Sequence, residues 1–106
     1  MSENMGSYEI LSHTLMPDCS IRIIRMLSNE HVAPHFHQKS AQVYTVLEHE
    51  VEARVGEQTL HLRPYETVRI EPGEVHAIRA FGSQGALVMS LSIPPMDRDD
   101  QHPAVE

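Results

Sequence analysis

Residues 35–48 read HFHQKSAQVYTVLE, and two signals meet in this short segment. His35 and His37 are separated by one residue, a spacing that in an extended chain points both imidazoles to the same side. The residues from Gln42 to Leu47 then read as a β-strand. The segment therefore predicts a strand that begins next to a pair of candidate metal ligands.

The rest of the chain repeats short apolar and polar alternations between turn signals, and no helical periodicity persists for long. Residues 27–41 are expected to form a long loop that carries His35 and His37. About eight strands with this spacing predict an all-β fold, either a closed barrel or a double-sheet jelly roll. The expected strands are Tyr8 to Leu15, Ser20 to Met26, Gln42 to Leu47, Val51 to Val55, Thr59 to Leu62, Glu66 to Ile70, His76 to Ala80 and Ala86 to Ile93.

The chain has 106 residues, which is enough for one domain with one core. We expect a single domain over residues 1–106, with the barrel at about residues 8–93. The ends, residues 1–7 and 94–106, are poor in apolar side chains and are predicted to be loosely held or docked on a partner subunit. A domain this short buries proportionally little surface, so a homodimer is expected.

Charge and hydropathy exclude two classes of partner. The net charge is −7 and Lys39 is the only lysine, so nucleic acid is not an expected partner. No apolar run approaches the roughly 20 residues needed to cross a bilayer, and the first eight residues lack the layout of a secretory signal. The predicted location is cytoplasmic, which is compatible with the single cysteine, Cys19.

Eight histidines are many for this length and point to a metal site. Besides His35 and His37, Gln42 offers an amide oxygen, and His76 follows a Pro72-Gly73 turn at the start of another strand. Three nitrogens and one oxygen would leave positions open on an ion, which is typical of a catalytic or substrate-binding site rather than of structural zinc. The other histidines have no mutual spacing that closes a site: His13, His31, His49, His61 and His102.

The pattern His35-x-His37-x4-Gln42, with the strand after it and then Pro72-Gly73-x2-His76, resembles the two sequence blocks of the cupin superfamily. The resemblance covers about residues 29–80 and is closest to small single-domain RmlC-like cupins. It implies a double-stranded β-helix, the cupin jelly roll, with a divalent metal ion inside the barrel. It also implies that His35, His37, Gln42 and His76 are the metal ligands.

Two residues depart from the cupin pattern. Gln42 stands where glutamate is usual, which removes one negative charge from the ligand set, so the ion would attract an anionic substrate oxygen more strongly and be held less tightly. His49 stands where glycine is usual, at a turn that calls for positive φ; histidine is among the side chains that visit that region. The identity of the metal, iron, manganese, nickel or zinc, stays open.

Strand alternation predicts which side chains line the cavity. Tyr44, Val46, Ile78 and Ala80 should face inward, giving a largely apolar pocket with one phenol. Tyr44 and Glu48 are the candidate catalytic residues, Glu48 because alternation also turns it inward. One or more of four strand arginines could turn inward to pair with a carboxylate substrate: Arg22, Arg25, Arg69 and Arg79.

Two functions are compatible with this sequence. The first is a metal-dependent enzyme acting on a small organic acid or sugar-derived carbonyl compound, of isomerase, lyase or dioxygenase type. The segment Pro94-Pro95-Met96-Asp97-Arg98 is similar to the tail of cupins associated with opening unsaturated uronates, although Ser90 replaces the acid that those proteins carry on the last strand. The second is a non-catalytic module that binds or senses a small molecule, favoured by the lack of an obvious general base.

Overall fold

A computed structural model describes residues 3–4, 8–27 and 31–104 of the chain. The described part contains eleven β-strands and one short 3-10 helix, Arg98–Asp100. The strands are β1 (Glu3–Asn4), β2 (Tyr8–Leu15), β3 (Ser20–Met26), β4 (His31–Phe36), β5 (Ala41–His49), β6 (Val51–Val55), β7 (Gln58–Leu62), β8 (Thr67–Ile70), β9 (His76–Ala80), β10 (Ala86–Ile93) and β11 (His102–Pro103).

The strands form two antiparallel sheets. A six-stranded sheet has the order β1-β2-β3-β10-β5-β8, and a five-stranded sheet has the order β11-β4-β9-β6-β7. Strands that follow one another in sequence often lie in opposite sheets, as β4 and β5 do. This is the double-stranded β-helix, so the prediction of an all-β jelly roll is confirmed.

The core fills the space between the sheets because inward residues alternate with outward ones along each strand. On β10, Ala86, Val88, Ser90 and Ser92 are buried and the residues between them are only partly so. Toward one end the inward faces are apolar, and toward the other they carry serine, glutamine and histidine. The polar end of the interior is where the candidate ligands lie.

The long loop predicted at residues 27–41 is replaced by a strand in its described part, while residues 28–30 lie outside the described residues. Residues 31–36 are strand β4, which pairs with β9 on one side and β11 on the other. Pro34 suggested a loop because proline cannot donate to a sheet ladder. The strand accommodates it where the β4 and β9 register shifts, between Val32 and His35.

The C-terminal end, residues 94–106, was expected to be loosely held or docked on a partner subunit, and its described part, residues 94–104, is hydrogen-bonded to the chain's own barrel. The Met96 N–H donates to the Ser20 hydroxyl at 2.8 Å, the Ala104 N–H donates to the Pro34 carbonyl at 3.2 Å, and β11 extends the five-stranded sheet. Asp100, a residue of this segment, is buried. Hydrogen bonding to the chain's own barrel explains the docking, which composition could not reveal. Of the other end, only residues 3–4 are described, and they pair with β2.

No helix in the described ranges is long and apolar enough to cross a membrane.

Candidate metal centre

Three of the predicted site residues, His35, His37 and His76, come together inside the barrel. His35 and His76 are direct cross-strand partners on β4 and β9, and His37 follows the end of β4. One ligating nitrogen from each ring lies within 4.8 Å of the other two. The three side chains are 6%, 2% and 1% exposed, respectively. This spacing is compatible with one shared cation.

Each ring is held through its Nδ1 atom by a main-chain carbonyl oxygen. Because a carbonyl can only accept, Nδ1 carries the proton and Nε2 keeps its lone pair. Such outer hydrogen bonds are how proteins orient histidine ligands toward a metal. The three bonds are His35 Nδ1 to Ala33 O at 2.8 Å, His37 Nδ1 to Asp100 O at 3.0 Å and His76 Nδ1 to Glu74 O at 3.0 Å.

The Nε2 atoms of the three rings test whether a metal ion fits between them. The Nε2 atoms of His37 and His76 are buried and have no hydrogen-bond partner among the described residues. Buried polar atoms without a partner are uncommon in folded proteins and are satisfied when an ion or water occupies the space they face. Two lone pairs with this geometry fit a cation, so the three buried histidines could hold a metal ion.

The electrostatics keep the triad neutral. Burial lowers the pKa of all three rings, and it takes the pKa of His76 to about 4. Backbone hydrogen bonds oppose this shift, and mutual repulsion between protonated rings adds to it for His37 and His76. Neutral imidazole is the form that binds a metal, so near pH 7 the rings are in the ligating state.

Gln42, the fourth predicted ligand, is on β5 of the other sheet and is buried in the same cavity as His35. Its amide Nε2 donates to the Ser92 hydroxyl at 3.1 Å, and its Oε1 accepts from the Tyr44 hydroxyl at 3.2 Å. A carbonyl oxygen has two lone pairs, so one remains for a cation. The amide is thus oriented by its neighbours from both sides.

Asp100 is a residue of this site that sequence reasoning missed. It is 3% exposed, and its carboxylate accepts from the main-chain N–H groups of Gln38, Lys39 and Ser40 at 3.0 to 3.2 Å. Burial alone would raise its pKa, but these three bonds outweigh it and hold the pKa below the ordinary value. Asp100 therefore fixes the turn between His37 and Gln42. The only signal in the sequence is an acidic cluster near the end, which does not by itself predict a buried carboxylate.

Next to the triad lies a small cavity of about 40 Å³. Of the predicted inward residues, Tyr44, Val46, Ile78 and Ala80 are all buried, as expected. Burial raises the pKa of the Tyr44 phenol well above its ordinary value, so it stays protonated and donates to Gln42. The cavity is lined by Tyr8, Arg22, Ile24, Val32, His35, Gln42, Tyr44, Ile78, Ser90, Met96 and Gln101.

Glu48, the second candidate catalytic residue, does not enter the cavity. Its side chain is exposed, so the prediction of an inward carboxylate is wrong. The reason is a register shift between β5 and β10: Val46 pairs with Val88 and Glu48 with Leu87, so Leu47 is an extra residue. A bulge of this kind interrupts simple alternation. His49, two residues past the bulge, has a φ of 63°, as the expected glycine position requires.

Comparison with known proteins identifies the family of the chain. A family model described as "Cupin domain" matches residues 22–94, and the chain belongs to the cupin family. No curated protein sequence matches it.

Solved structures share the fold of this chain although their sequences are only 8–17% identical to it. KdgF from Halomonas sp. has a TM-score of 0.84 and 17% identity, over 93% of this chain and 89% of that one. An RmlC-like cupin from Shewanella frigidimarina gives 0.82 and 17%, over 93% and 86%. The Streptomyces protein PAC13, solved as a tyrosine-to-phenylalanine variant with uridine, gives 0.83 and 8%, over 98% and 83%. The chain therefore shares the cupin fold with these proteins.

Proposed function

We propose that this protein is a metal-dependent cupin enzyme that acts on a small organic acid or sugar-derived carbonyl compound. His35, His37 and His76 would hold one divalent ion, iron, manganese, nickel or zinc, with Gln42 as the fourth ligand. The observation that carries the proposal is the pair of buried Nε2 atoms on His37 and His76 that lie close together without a partner in the described part of the chain. When bound, the ion would supply a Lewis acid beside the cavity.

The neutral ligand set supports an anionic substrate. Three imidazoles and an amide contribute no negative charge, whereas the usual glutamate would cancel half of the charge on the ion. A carboxylate or enolate oxygen would therefore be attracted to this centre. Tyr44 holds the Gln42 amide and is a candidate for positioning the substrate, with its phenol remaining a donor.

The reaction types are not supported equally. Isomerases and lyases need a positioned acid or base for proton transfer, and no Asp or Glu is among the described residues that line the cavity. Ser90 lines it where uronate-opening cupins carry an acid, and Glu48 is outside. Chemistry that needs no protein carboxylate, such as an oxygen-dependent reaction at a three-histidine iron centre, is therefore the favoured type.

The same lack of a cavity carboxylate among the described residues favours a second candidate, a cupin that binds or senses a small molecule without turning it over. The two candidates share the metal and the cavity and differ only in turnover. A ligand-binding module would bind a small acid tightly and release it unchanged.

Turnover separates the two candidates. The protein loaded in turn with iron(II), manganese, nickel or zinc is incubated with a panel of short 2-oxo acids, 2-hydroxy acids and unsaturated uronates. Oxygen uptake and product formation are followed by electrode and by NMR. Metal-dependent consumption that is lost in His76→Ala supports the enzyme. Saturable binding with no product under every metal would leave the sensing module.

A further inference from the structure

Arg22 is the one arginine of the four predicted candidates that lines the cavity. It lies on β3 between Ser20 and Ile24, which are buried on the same inward side, whereas Arg25 is exposed. Arg69 and Arg79 are also exposed and pair with Glu71 and Glu52 at the surface.

The register places Arg22 in a row that crosses the six-stranded sheet. Ser90 on β10 is its direct partner, and Tyr44 on β5 is the partner of Ser90 on the other side. Neighbouring strands are about 4.8 Å apart, so the three side chains enter the cavity side by side. The adjacent row is Ser20, Ser92 and Gln42, which contains the candidate amide ligand.

The Arg22 guanidinium has no partner of opposite charge in the described part of the chain. Its Nε is buried and makes no hydrogen bond there, and the described lining of the cavity includes neither Asp nor Glu. Ser90, its cross-strand neighbour, is neutral. Arg22 is half-buried, and a partly desolvated cation without a counter-charge is destabilising, a cost that an anion in the space in front of it would offset.

We infer that Arg22 is the carboxylate anchor of the cavity and that the ligand is a short acid with a second oxygen close to its carboxylate. A planar guanidinium matches a carboxylate through two parallel N–H···O bonds. His35 and Gln42 line the same cavity, so a ligand held by Arg22 also reaches the candidate metal centre with its second oxygen. This assignment rests on the proposed metal site and adds to it the residue that selects the substrate.

The small size of the cavity favours a ligand of few heavy atoms. Its volume is about 40 Å³, and a single water needs at least about 10–15 Å³ on the same measure. A three-carbon 2-oxo or 2-hydroxy acid is of this order, whereas a full sugar ring would need the cavity to widen. Met96 and Gln101 complete the wall from the C-terminal segment, so widening would involve that segment.

The test uses pyruvate and its neutral amide, pyruvamide, as probes. Each is titrated by NMR into the zinc-loaded and metal-free protein, as wild type, Arg22→Gln, Arg22→Lys and Arg25→Gln. Arg25 is the matched control because it is on the same strand and faces outward. We expect Arg22→Gln to weaken pyruvate binding at least about tenfold, Arg22→Lys to restore part of it, and Arg25→Gln to leave it unchanged. Pyruvamide should bind weakly to all four proteins.

The metal content and melting temperature of the same samples distinguish a failure of the Arg22 anchor from a failure of the proposed metal centre. Arg22→Gln should keep the zinc content and should melt at the same or a higher temperature, because it removes a half-buried charge that has no counter-charge among the described residues. If pyruvate binds wild type and Arg22→Gln equally, or does not bind wild type, Arg22 is not the carboxylate anchor, even if the protein holds zinc. Absence of zinc defeats the proposed metal centre, while Arg22-dependent binding to the metal-free protein would still support the anchor.

Discussion

The His37 imidazole donates its Nδ1 hydrogen to the main-chain carbonyl of Asp100, 63 residues later in the chain, at a distance of 3.0 Å. The Asp100 carboxylate meanwhile accepts from the three backbone N–H groups that follow His37. One residue of the C-terminal segment thus orients a candidate ligand and fixes the turn leading to Gln42. The candidate metal centre and the docking of this segment are therefore coupled.

Asp100→Ala should weaken both properties. The three backbone donors would lose a charged acceptor in a buried place, which we expect to lower the free energy of unfolding by about 2–4 kcal/mol. Asp100→Ala keeps the main-chain carbonyl that accepts from His37 but removes the carboxylate that holds it in position, so metal binding should weaken by about tenfold, the lower end of the effect of losing an outer-shell partner. Urea denaturation of the metal-free protein and competition with a chelator measure the two effects.

Asp99→Ala is the matched control for Asp100, because Asp99 is adjacent and exposed. It should change neither quantity measurably. If Asp100→Ala matched this control in metal affinity, the coupling between the C-terminal segment and His37 would be rejected.

The metal-free protein should lose stability in mild acid. The pKa of His76 is about 4 when folded and near 6.5 when unfolded, so between these values the unfolded chain binds more protons. The free energy of unfolding therefore falls as the pH drops from about 6.5 toward 4, by on the order of 3 kcal/mol for His76 alone. His35 and His37 shift in the same direction and add to the loss. Urea midpoints from pH 7.5 to 4.5 measure it.

A variant isolates the part of this pH dependence that belongs to the buried ring. His76→Gln should flatten the curve, whereas His49→Gln, at an exposed position, should leave it steep. A metal-free wild type whose midpoint stays level down to pH 5 would contradict the assignment of neutral buried imidazoles.

Gln42→Glu should tighten metal binding. It restores a negative charge to the ligand set, and the Ser92 and Tyr44 hydroxyls can both donate to the new carboxylate. We expect at least about a tenfold gain in affinity for zinc or manganese. Binding of an anionic ligand should weaken at the same time, because the centre carries less positive charge. A chelator competition that gives equal affinities for both proteins would argue against Gln42 as a ligand.

His49→Gly should stabilise the fold slightly. His49 has a φ of 63°, where a side chain is strained and glycine is not. Left-handed strain costs about 1–2 kcal/mol and the extra chain entropy that glycine loses on folding costs about 0.5–1 kcal/mol, so the net gain in urea denaturation should be about 0.5–1 kcal/mol. Glu57→Gly, at an exposed turn position without positive φ, should give no gain. A loss of stability in His49→Gly would mean that this side chain makes a contact worth more than the strain.

The fold was predictable because its signals are local. Tyr8–Leu15, Ser20–Met26, Val51–Val55, His76–Ala80 and Ala86–Ile93 match the expected strands at both ends. Alternation between turn signals was sufficient to place their ends, although β2 also slips in register, between Ile10 and Ser12. It failed at Pro34 in β4 and at Leu47 in β5, because a bulge depends on the partner strand.

The candidate ligands were also readable from the sequence, but what holds them was not. The spacing of His35, His37 and His76 is local to two segments, whereas the acceptors of their Nδ1 hydrogens depend on the folded backbone. Asp100 is distant in sequence from His37 and became part of the site only because the C-terminal segment docks on β4. The choice of Arg22 among four arginines likewise required the register of β3 and β10.

The most direct test of the metal centre is elemental analysis of the protein purified without a metal-affinity tag, compared with the double variant His35→Ala and His37→Ala. We predict close to one equivalent of iron, manganese, nickel or zinc per chain in the wild type and almost none in the variant. Equal metal in both proteins, or none in the wild type even after reconstitution with each ion, would contradict the account and leave a barrel that binds its ligand without a metal.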